Sequence, residues 1–316
     1  MSPPTLVVST GGTLASTAGE DGAGPTKAGD ELVAAVPDLR DRIDVEQLAQ
    51  RPSPDMDFEI LDRLRERAAA HDAGVVVTHG TDTMAESAFY LDLVRDWERP
   101  VVFTGAQRRP DQPGADGPAN ILDAVTVVEE SAVGSAGGVY VCLNGELHAA
   151  RDAVKAHTWR PDTFESPGKG PVAVVGPAGF ERYRDLGSGA TTLPDAAVPD
   201  GDVSIISTGI GVDRAQVDRA VDAGADGIVL QTTGLGNAPE PVAEGVADAV
   251  DAGVPVVVTS RCHAGGVAAV YGGGGGYTLE ENGAVLAGDL SAPKARIKLL
   301  LALTADCSVA DAFADD

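Results

Sequence analysis

Short apolar runs alternate with longer segments whose apolar residues return every three or four positions, along nearly the whole chain. Residues 6–9, 75–78, 101–104 and 139–143 are almost uninterrupted in apolar side chains. Such runs predict strands covered on both faces, as in a parallel sheet. Between them, residues 58–71 place Phe58, Leu61, Leu64 and Ala68 at helical spacing. Residues 84–97 and 118–131 read likewise, the latter with Pro118 in its first turn. The stretch 176–202 is rich in Gly, Pro, Asp and Thr and breaks the rhythm. The pattern then restarts, with strands at 203–207, 227–230 and 255–259 and helices at 213–223, 239–252, 294–304 and 309–314. The expectation is a two-domain α/β chain. A larger N-terminal domain with a mostly parallel sheet takes residues 1–185, a linker 186–202, and a smaller C-terminal α/β domain 203–316. Five consecutive glycines at 272–276 read as a mobile loop.

Charge adds a constraint that the pattern does not carry. The chain has 48 Asp and Glu against 23 Lys and Arg, a net charge of −25, and only five of those cations are lysines. A surface this acidic repels nucleic acid and anionic membranes, so neither is expected as a partner. It suits high salt, where the Debye length falls to about 3 Å at 1 M and self-repulsion is screened. Cys142, Cys262 and Cys307 form no CxxC pair, which predicts a reduced, cytoplasmic protein without a disulfide framework. The first residues lack the basic and apolar regions of a signal peptide, and no apolar run reaches the ~20 residues of a membrane span.

Two turns carry the candidate chemistry. The first strand runs into Thr10-Gly11-Gly12-Thr13, where paired glycines let the backbone turn sharply and approach a ligand. It is neither a dinucleotide fingerprint nor a P-loop, since G-x-G-x-x-G and Gly-Lys-Ser/Thr are both missing. The strand at 75–78 runs into His79-Gly80-Thr81-Asp82-Thr83. Helix capping by Asp82 or Thr83, with Glu86 near capping-box spacing, explains part of that motif but not the His-Gly-Thr before it. Two threonine-rich turns at the ends of two strands can face one crevice.

These two motifs resemble the signatures of bacterial-type L-asparaginases. Further pieces fit in the same order. They are Ser53-Pro54-Asp55-Met56, Gly105-Ala106-Gln107-Arg108, Ala115-Asp116-Gly117-Pro118-Ala119-Asn120, the stretch from Arg151 through Lys155 to Thr158, Gly234-Leu235-Gly236-Asn237, and Ser260-Arg261. The resemblance implies a two-domain asparaginase-like fold and a hydrolase that splits the side-chain amide of L-asparagine into aspartate and ammonia. It implies no cofactor and no metal, and a homodimer or homotetramer with active sites near the subunit interface.

By that resemblance Thr13 matches the nucleophile, and Thr81, Asp82 and Lys155 form a second trio in which Asp82 holds Lys155 near Thr81. Ser53, Gly80 and Ala106 would grip the substrate's carboxylate and carbonyl oxygen, and Asp82 its α-amino group. The residue types suit the chemistry: an amide needs a nucleophile, a base and an oxyanion site. Arginine could not replace Lys155, because it does not lose its proton. Whether Thr13 or Thr81 attacks first stays open at this point, with Thr13 favoured. The bland alternative for Lys155 is a surface ion pair with Asp152.

The chain departs from the family in places. The stretch 17–27 holds no tyrosine where the family has one, although it is Gly-rich enough for a lid hinge. Tyr271 and Tyr277 are the tyrosines that could stand in for it. Pro54 stands where some relatives carry a glutamine, which leaves asparagine against glutamine open. Cys262-His263 reads as a turn rather than a metal site, and His79, His148 and His157 as packed residues. Two other functions are weighed. One is the ammonia-releasing subunit of a tRNA-dependent amidotransferase, against which stand the acidic surface and a first motif that begins at Thr10, leaving no room for a preceding domain. The other is a non-catalytic amino-acid sensor, which would be expected to lose Thr13, Thr81, Asp82 or Lys155.

Salt dependence follows from the charge. Desalting from molar KCl should lower the melting temperature measured by circular dichroism; a rise would overturn the reading of salt adaptation.

Overall fold

The computed structural model describes residues 3–19, 22–25, 36–39, 41–187, 189 and 191–314. The chain divides into two compact units, residues 1–189 and 190–316.

The first unit is built on a mixed eight-stranded sheet. In chain order its strands are β1 (Thr5–Gly11), β4 (Ile43–Arg51), β5 (Val75–Thr78), β6 (Val101–Thr104), β7 (Val139–Leu143), β8 (Glu146–Ala149), β11 (Ala173–Gly176) and β12 (Gly179–Arg182). A small hairpin, β2 (Ser16–Gly19) with β3 (Gly22–Pro25), and a short pair, β9 (Val154–Lys155) with β10 (Phe164–Glu165), stand outside it. The sheet order is β12-β11-β8-β7-β6-β5-β1-β4. β4, β1, β5, β6 and β7 run parallel, while β8, β11 and β12 join antiparallel. Every residue of β1, β5, β6 and β7 is buried, which is why these runs are apolar without alternation.

Helices α1 (Phe58–Ala70), α2 (Met84–Val94), α3 (Gly117–Glu129) and α4 (Ser131–Ala136) connect the strands. Asp57 caps α1 by accepting from the Ile60 N–H at 2.8 Å. α3 packs Ile121, Ala124 and Val125 onto the sheet face of Val7, Val76 and Val102. α2 ends at Val94, short of the expected Trp97, because Arg95 turns extended (ψ 135°) while its guanidinium folds back onto Asp92 at 3.1 Å.

The second unit has a parallel four-stranded sheet. Its order is β13 (Val203–Ser207), β14 (Gly227–Thr232), β15 (Val256–Ser260), β16 (Val285–Leu286). α5 (Ala215–Asp222), α6 (Glu240–Asp251) and α7 (Gly276–Glu281) pack on the face of Ile228, Leu230, Val256 and Val258. α8 (Ala292–Ala302) lies on the other face, where a Cβ at Gly227 would meet Leu299 at 2.9 Å. α9 (Val309–Ala312) follows, and Phe313 beside it carries the buried Lys298 ammonium over its ring at 5.1 Å.

The glycine run 272–276 differs from the loop expected of it. A Cβ on Gly274, Gly275 or Gly276 would stand 2.3–2.5 Å from the carbonyl oxygen of Ala238, Tyr271 or Ala268, and Gly276 opens α7. These glycines are there for close backbone packing. Of the stretch 17–27 read as a lid hinge, residues 17–19 and 22–25 belong to the β2–β3 hairpin, and the rest lies outside the described residues. Tyr271 and Tyr277 belong to the second unit, where the Tyr277 hydroxyl donates to Glu281 at 2.7 Å.

Candidate active site

The sheet order places β1 between β4 and β5, although the chain visits β4 and α1 before it reaches β5. Open α/β sheets bind ligands at such a reversal, outside the carboxyl ends of the strands. The turns leaving these strands converge there. β1 leads to Gly12 and Thr13, β4 to Ser53, β5 to Gly80, Thr81 and Asp82, and β6 to Gly105 and Ala106.

The turns meet by backbone contact. Gly11 and Gly12 have positive φ, 110° and 83°. A Cβ on Gly11 would meet the Arg51 carbonyl oxygen at 2.5 Å, and one on Gly12 the Gly80 Cα at 2.4 Å. A Cβ on Gly80 would meet Ser53 at 2.7 Å. The Gly12 N–H donates to the Arg51 carbonyl at 3.2 Å, and Ser16 Oγ to the Gly12 carbonyl at 2.8 Å. Thr83 is the N-terminal cap residue of α2, but its side chain accepts no hydrogen bond from the helix; its hydroxyl donates to the Ser53 carbonyl at 2.7 Å. The hydroxyl therefore links two turns of the site, where helix capping was expected of it.

These turns enclose an open pocket of about 130 Å³. Thr13, Ser53, Gly80, Thr81 and Asp82 line it, with Gly12, Ser16, Pro52 and Pro54 completing the wall. Lys155 joins from β9, where its Nζ donates to Thr81 Oγ1 at 2.9 Å and to Asp82 Oδ1 at 2.5 Å. The bland alternative for this lysine therefore fails: its acid is Asp82, and Asp152 is taken by Lys169 and Arg184. Ala106 is buried at the end of β6 and is not part of the pocket wall. Five of the seven sequence-derived positions thus share the pocket, Lys155 reaches two of them, and Ala106 stands outside.

His79 sits beneath the pocket, fully buried. Its Nδ1 lies 2.7 Å from the Gly80 carbonyl oxygen, which can only accept, so Nδ1 carries the proton. Nε2 then accepts from the Ser87 hydroxyl at 3.0 Å. Burial pushes the imidazole down to about 4, against the smaller opposing effect of the Gly80 carbonyl, and it stays neutral. In a trans peptide the C=O and the next N–H point opposite ways. Holding the Gly80 carbonyl on the imidazole therefore turns the Thr81 N–H away from it.

Sequence reasoning missed the scaffold behind Ala106. The Asp116 carboxylate accepts the N–H groups of Gln107 and Arg108 at 3.0 and 2.9 Å. Asn120 donates to Asp116 and to the Gly105 carbonyl, and accepts from the Asn144 N–H at 3.0 Å. The signal was the matching Ala-Asp-Gly-Pro-x-Asn stretch, whose polar residues hold the turn after β6. Among the described residues no group of three or more His, Cys, Asp or Glu could hold a metal. No helix among them is long and apolar enough to cross a membrane.

Comparison with known proteins identifies the family. The family model described as "Asparaginase, N-terminal" matches residues 5–185, and "Glutaminase/Asparaginase C-terminal domain" matches residues 202–312. The chain is 33% identical to an L-asparaginase of Bacillus licheniformis, over 96% of each. It is 34% identical to a glutamyl-tRNA(Gln) amidotransferase subunit of Haloquadratum walsbyi, over 95% of this chain and 71% of that one. The crystal structure of a probable cytoplasmic L-asparaginase from Campylobacter jejuni superposes with a TM-score of 0.87 at 32% identity, covering 99% of both chains.

The neutral His79 sets a pH signature. Its folded value lies below the unfolded one, so the unfolded chain binds the extra proton between pH 6.5 and about 4. Stability should fall as pH drops through that window, by about 3 kcal/mol from this residue alone. Denaturant titrations of wild type and His79→Gln should show the difference in slope there, and equal slopes would refute the buried neutral histidine.

Proposed function

Because this chain belongs to the asparaginase family, we propose that its pocket hydrolyses the side-chain amide of L-asparagine to L-aspartate and ammonia. The observation that carries the reading is the Lys155 ammonium bridging Thr81 Oγ1 and Asp82 Oδ1 at the wall of a pocket that Thr13 also lines.

Thr13 is the nucleophile in this reading. Its Oγ adds to the amide carbon, the C–N bond breaks, and the amide nitrogen leaves as ammonia after gaining a proton. The resulting ester is cleaved by water, which returns the proton to Thr13 and releases aspartate. A threonine hydroxyl is a weak nucleophile until a neighbour takes its proton. Thr81 accepts its hydrogen bond from Lys155, so its own hydroxyl proton is free to donate into the pocket. That makes the Thr81–Lys155–Asp82 chain a route for moving a proton between solute and protein.

Substrate binding follows from the same wall. Asp82 gives one carboxylate oxygen to Lys155 and keeps the other for an α-ammonium group. Ser53 and the backbone at Gly80 suit an α-carboxylate. The Thr81 N–H, turned away from His79, suits the oxygen of the amide as it gains charge. Such a donor is typically worth about 2.7–4 kcal/mol of transition-state stabilisation. Ala106, outside the pocket wall, would contribute only through its backbone. The protein works without a cofactor, in the cytoplasm, as a homodimer or homotetramer at high salt. Its domains in this reading are residues 1–185 and 203–316, joined by a linker at 186–202.

The second reading, ammonia supply within a tRNA-dependent amidotransferase, is favoured by the match to the Haloquadratum walsbyi protein. Against it stand the net charge of −25, which repels tRNA phosphates, and the end-to-end match to an asparaginase.

Ammonia release from L-asparagine and from L-glutamine in molar KCl tests the reading. Wild type should act on asparagine, and Thr13→Ala and Lys155→Met should each lower kcat at least about a thousandfold with the fold intact. Loss in Lys155→Met alone would move the nucleophile from Thr13 to Thr81. No release by folded wild type from either amide would refute the hydrolase and point to the sensor.

A further inference from the structure

We propose that Asp152 is the positioning residue that fixes Lys155 against Thr81 and Asp82. The inference rests on the role given to Lys155 above and deepens it. Lys155 belongs to β9, a strand of two residues, paired with a β10 of the same length. A hairpin that short is not stable by itself. Yet its lysine must hold two contacts, at 2.9 and 2.5 Å, and an ångström of drift would break both.

The Asp152 carboxylate supplies the missing anchor. It is buried three residues before Lys155, its side chain only 6% exposed. Its Oδ1 accepts from Lys169 at 2.9 Å and its Oδ2 from Arg184 at 2.7 Å. Arg151 Nη1 stands 3.5 Å from Oδ1. Lys169 lies in the turn just after β10, and Arg184 just after β12. Arg184 also donates to the Gly170 carbonyl, at 3.2 and 3.0 Å from its two nitrogens. Upstream, the N–H groups of Asp152 and Ala153 donate to the Ala149 carbonyl at 3.0 and 2.9 Å, closing the turn out of β8. One carboxylate therefore pins the chain in front of β9 to the chain behind β10, and the hairpin between them cannot slide. Burial would raise the Asp152 carboxyl, but hydrogen bonds and charge from Lys169 and Arg184 outweigh it and hold it below the usual value. This acid is also satisfied, so it does not compete with Asp82 for the Lys155 ammonium.

Kinetics on L-asparagine and a crystal structure of the variant test this on the full chain in molar KCl. Asp152→Asn should lower kcat about 10- to 100-fold with KM changed less than threefold, and Asp152→Glu should recover part of the loss. In a Lys155→Met background, adding Asp152→Asn should change the residual rate less than twofold, because the carboxylate acts only through the lysine. In the Asp152→Asn crystal structure, Lys155 Nζ should stand at least about 1 Å further from Thr81 Oγ1. If Asp152→Asn does not fold, Lys169→Met carries the same test with a smaller fall in kcat. A lowered melting temperature with unchanged kcat would overturn the proposal, as would an undisplaced Lys155. If Lys155→Met kept the wild-type rate, the role of the lysine itself would fall first. The crystal structure reads the positioning without any turnover.

Discussion

Gly12 and Gly80 lie back to back, so close that a β-carbon on Gly12 would enter the Gly80 backbone at 2.4 Å. The same crowding recurs between Gly11 and Arg51 and between Gly80 and Ser53. Everything else in the pocket depends on this approach. It brings the ends of β1, β4 and β5 within reach of one small ligand, and it puts Thr13 and Thr81 on the same cavity. Any side chain there would push the turns apart, and the hydroxyls would no longer face a common solute. The glycines thus fix distance, while the residues between them supply chemistry.

Charge and neutrality are kept on separate levels. The fully buried imidazole of His79 is neutral and works by geometry, holding one peptide plane. The ionised pair, Lys155 with Asp82, sits higher, where the Asp82 side chain is 63% exposed. Ions in contact with water avoid the desolvation cost of the interior. Asp152 departs from this, an acid only 6% exposed, and it is compensated by cations from two separate turns. Sequence alone could not reveal that partnership, since Lys169 and Arg184 lie 17 and 32 residues away.

Much of the fold was legible because both-faces-buried strands write themselves as apolar runs. Residues 75–78, 101–104 and 139–143 fall where the pattern put them, and so does 203–207, although that edge strand is only partly buried. β4 was not read, because an edge strand with Asp44, Glu46 and Gln47 has no such run, and its burial follows the sheet rather than its composition. β8, β11 and β12 were hidden because they are only four residues long, and β11 and β12 are largely unburied, so none writes a sustained apolar run. In the site, the two threonine motifs were legible because glycine and hydroxyl residues after a strand have few other uses. The role of Thr83 was not, since a cap and a bridge to Ser53 look the same in one dimension. The domain limits came from the break in pattern at 176–202, whereas the residue roles came from resemblance and remain tied to it.

The position of β1 has a consequence during synthesis. This seven-residue strand is buried along its whole length, yet both of its neighbours lie downstream, β4 from residue 43 and β5 from residue 75. At 5–20 residues per second, a nascent chain waits roughly 3–13 s after β1 before β5 is made. For that interval an apolar segment ending in Thr10-Gly11 has at most β4 to pair with, and one of its edges stays open. A strand buried along its whole length is thus made before either strand that covers its edges, and its apolar side chains depend on segments that the ribosome delivers later.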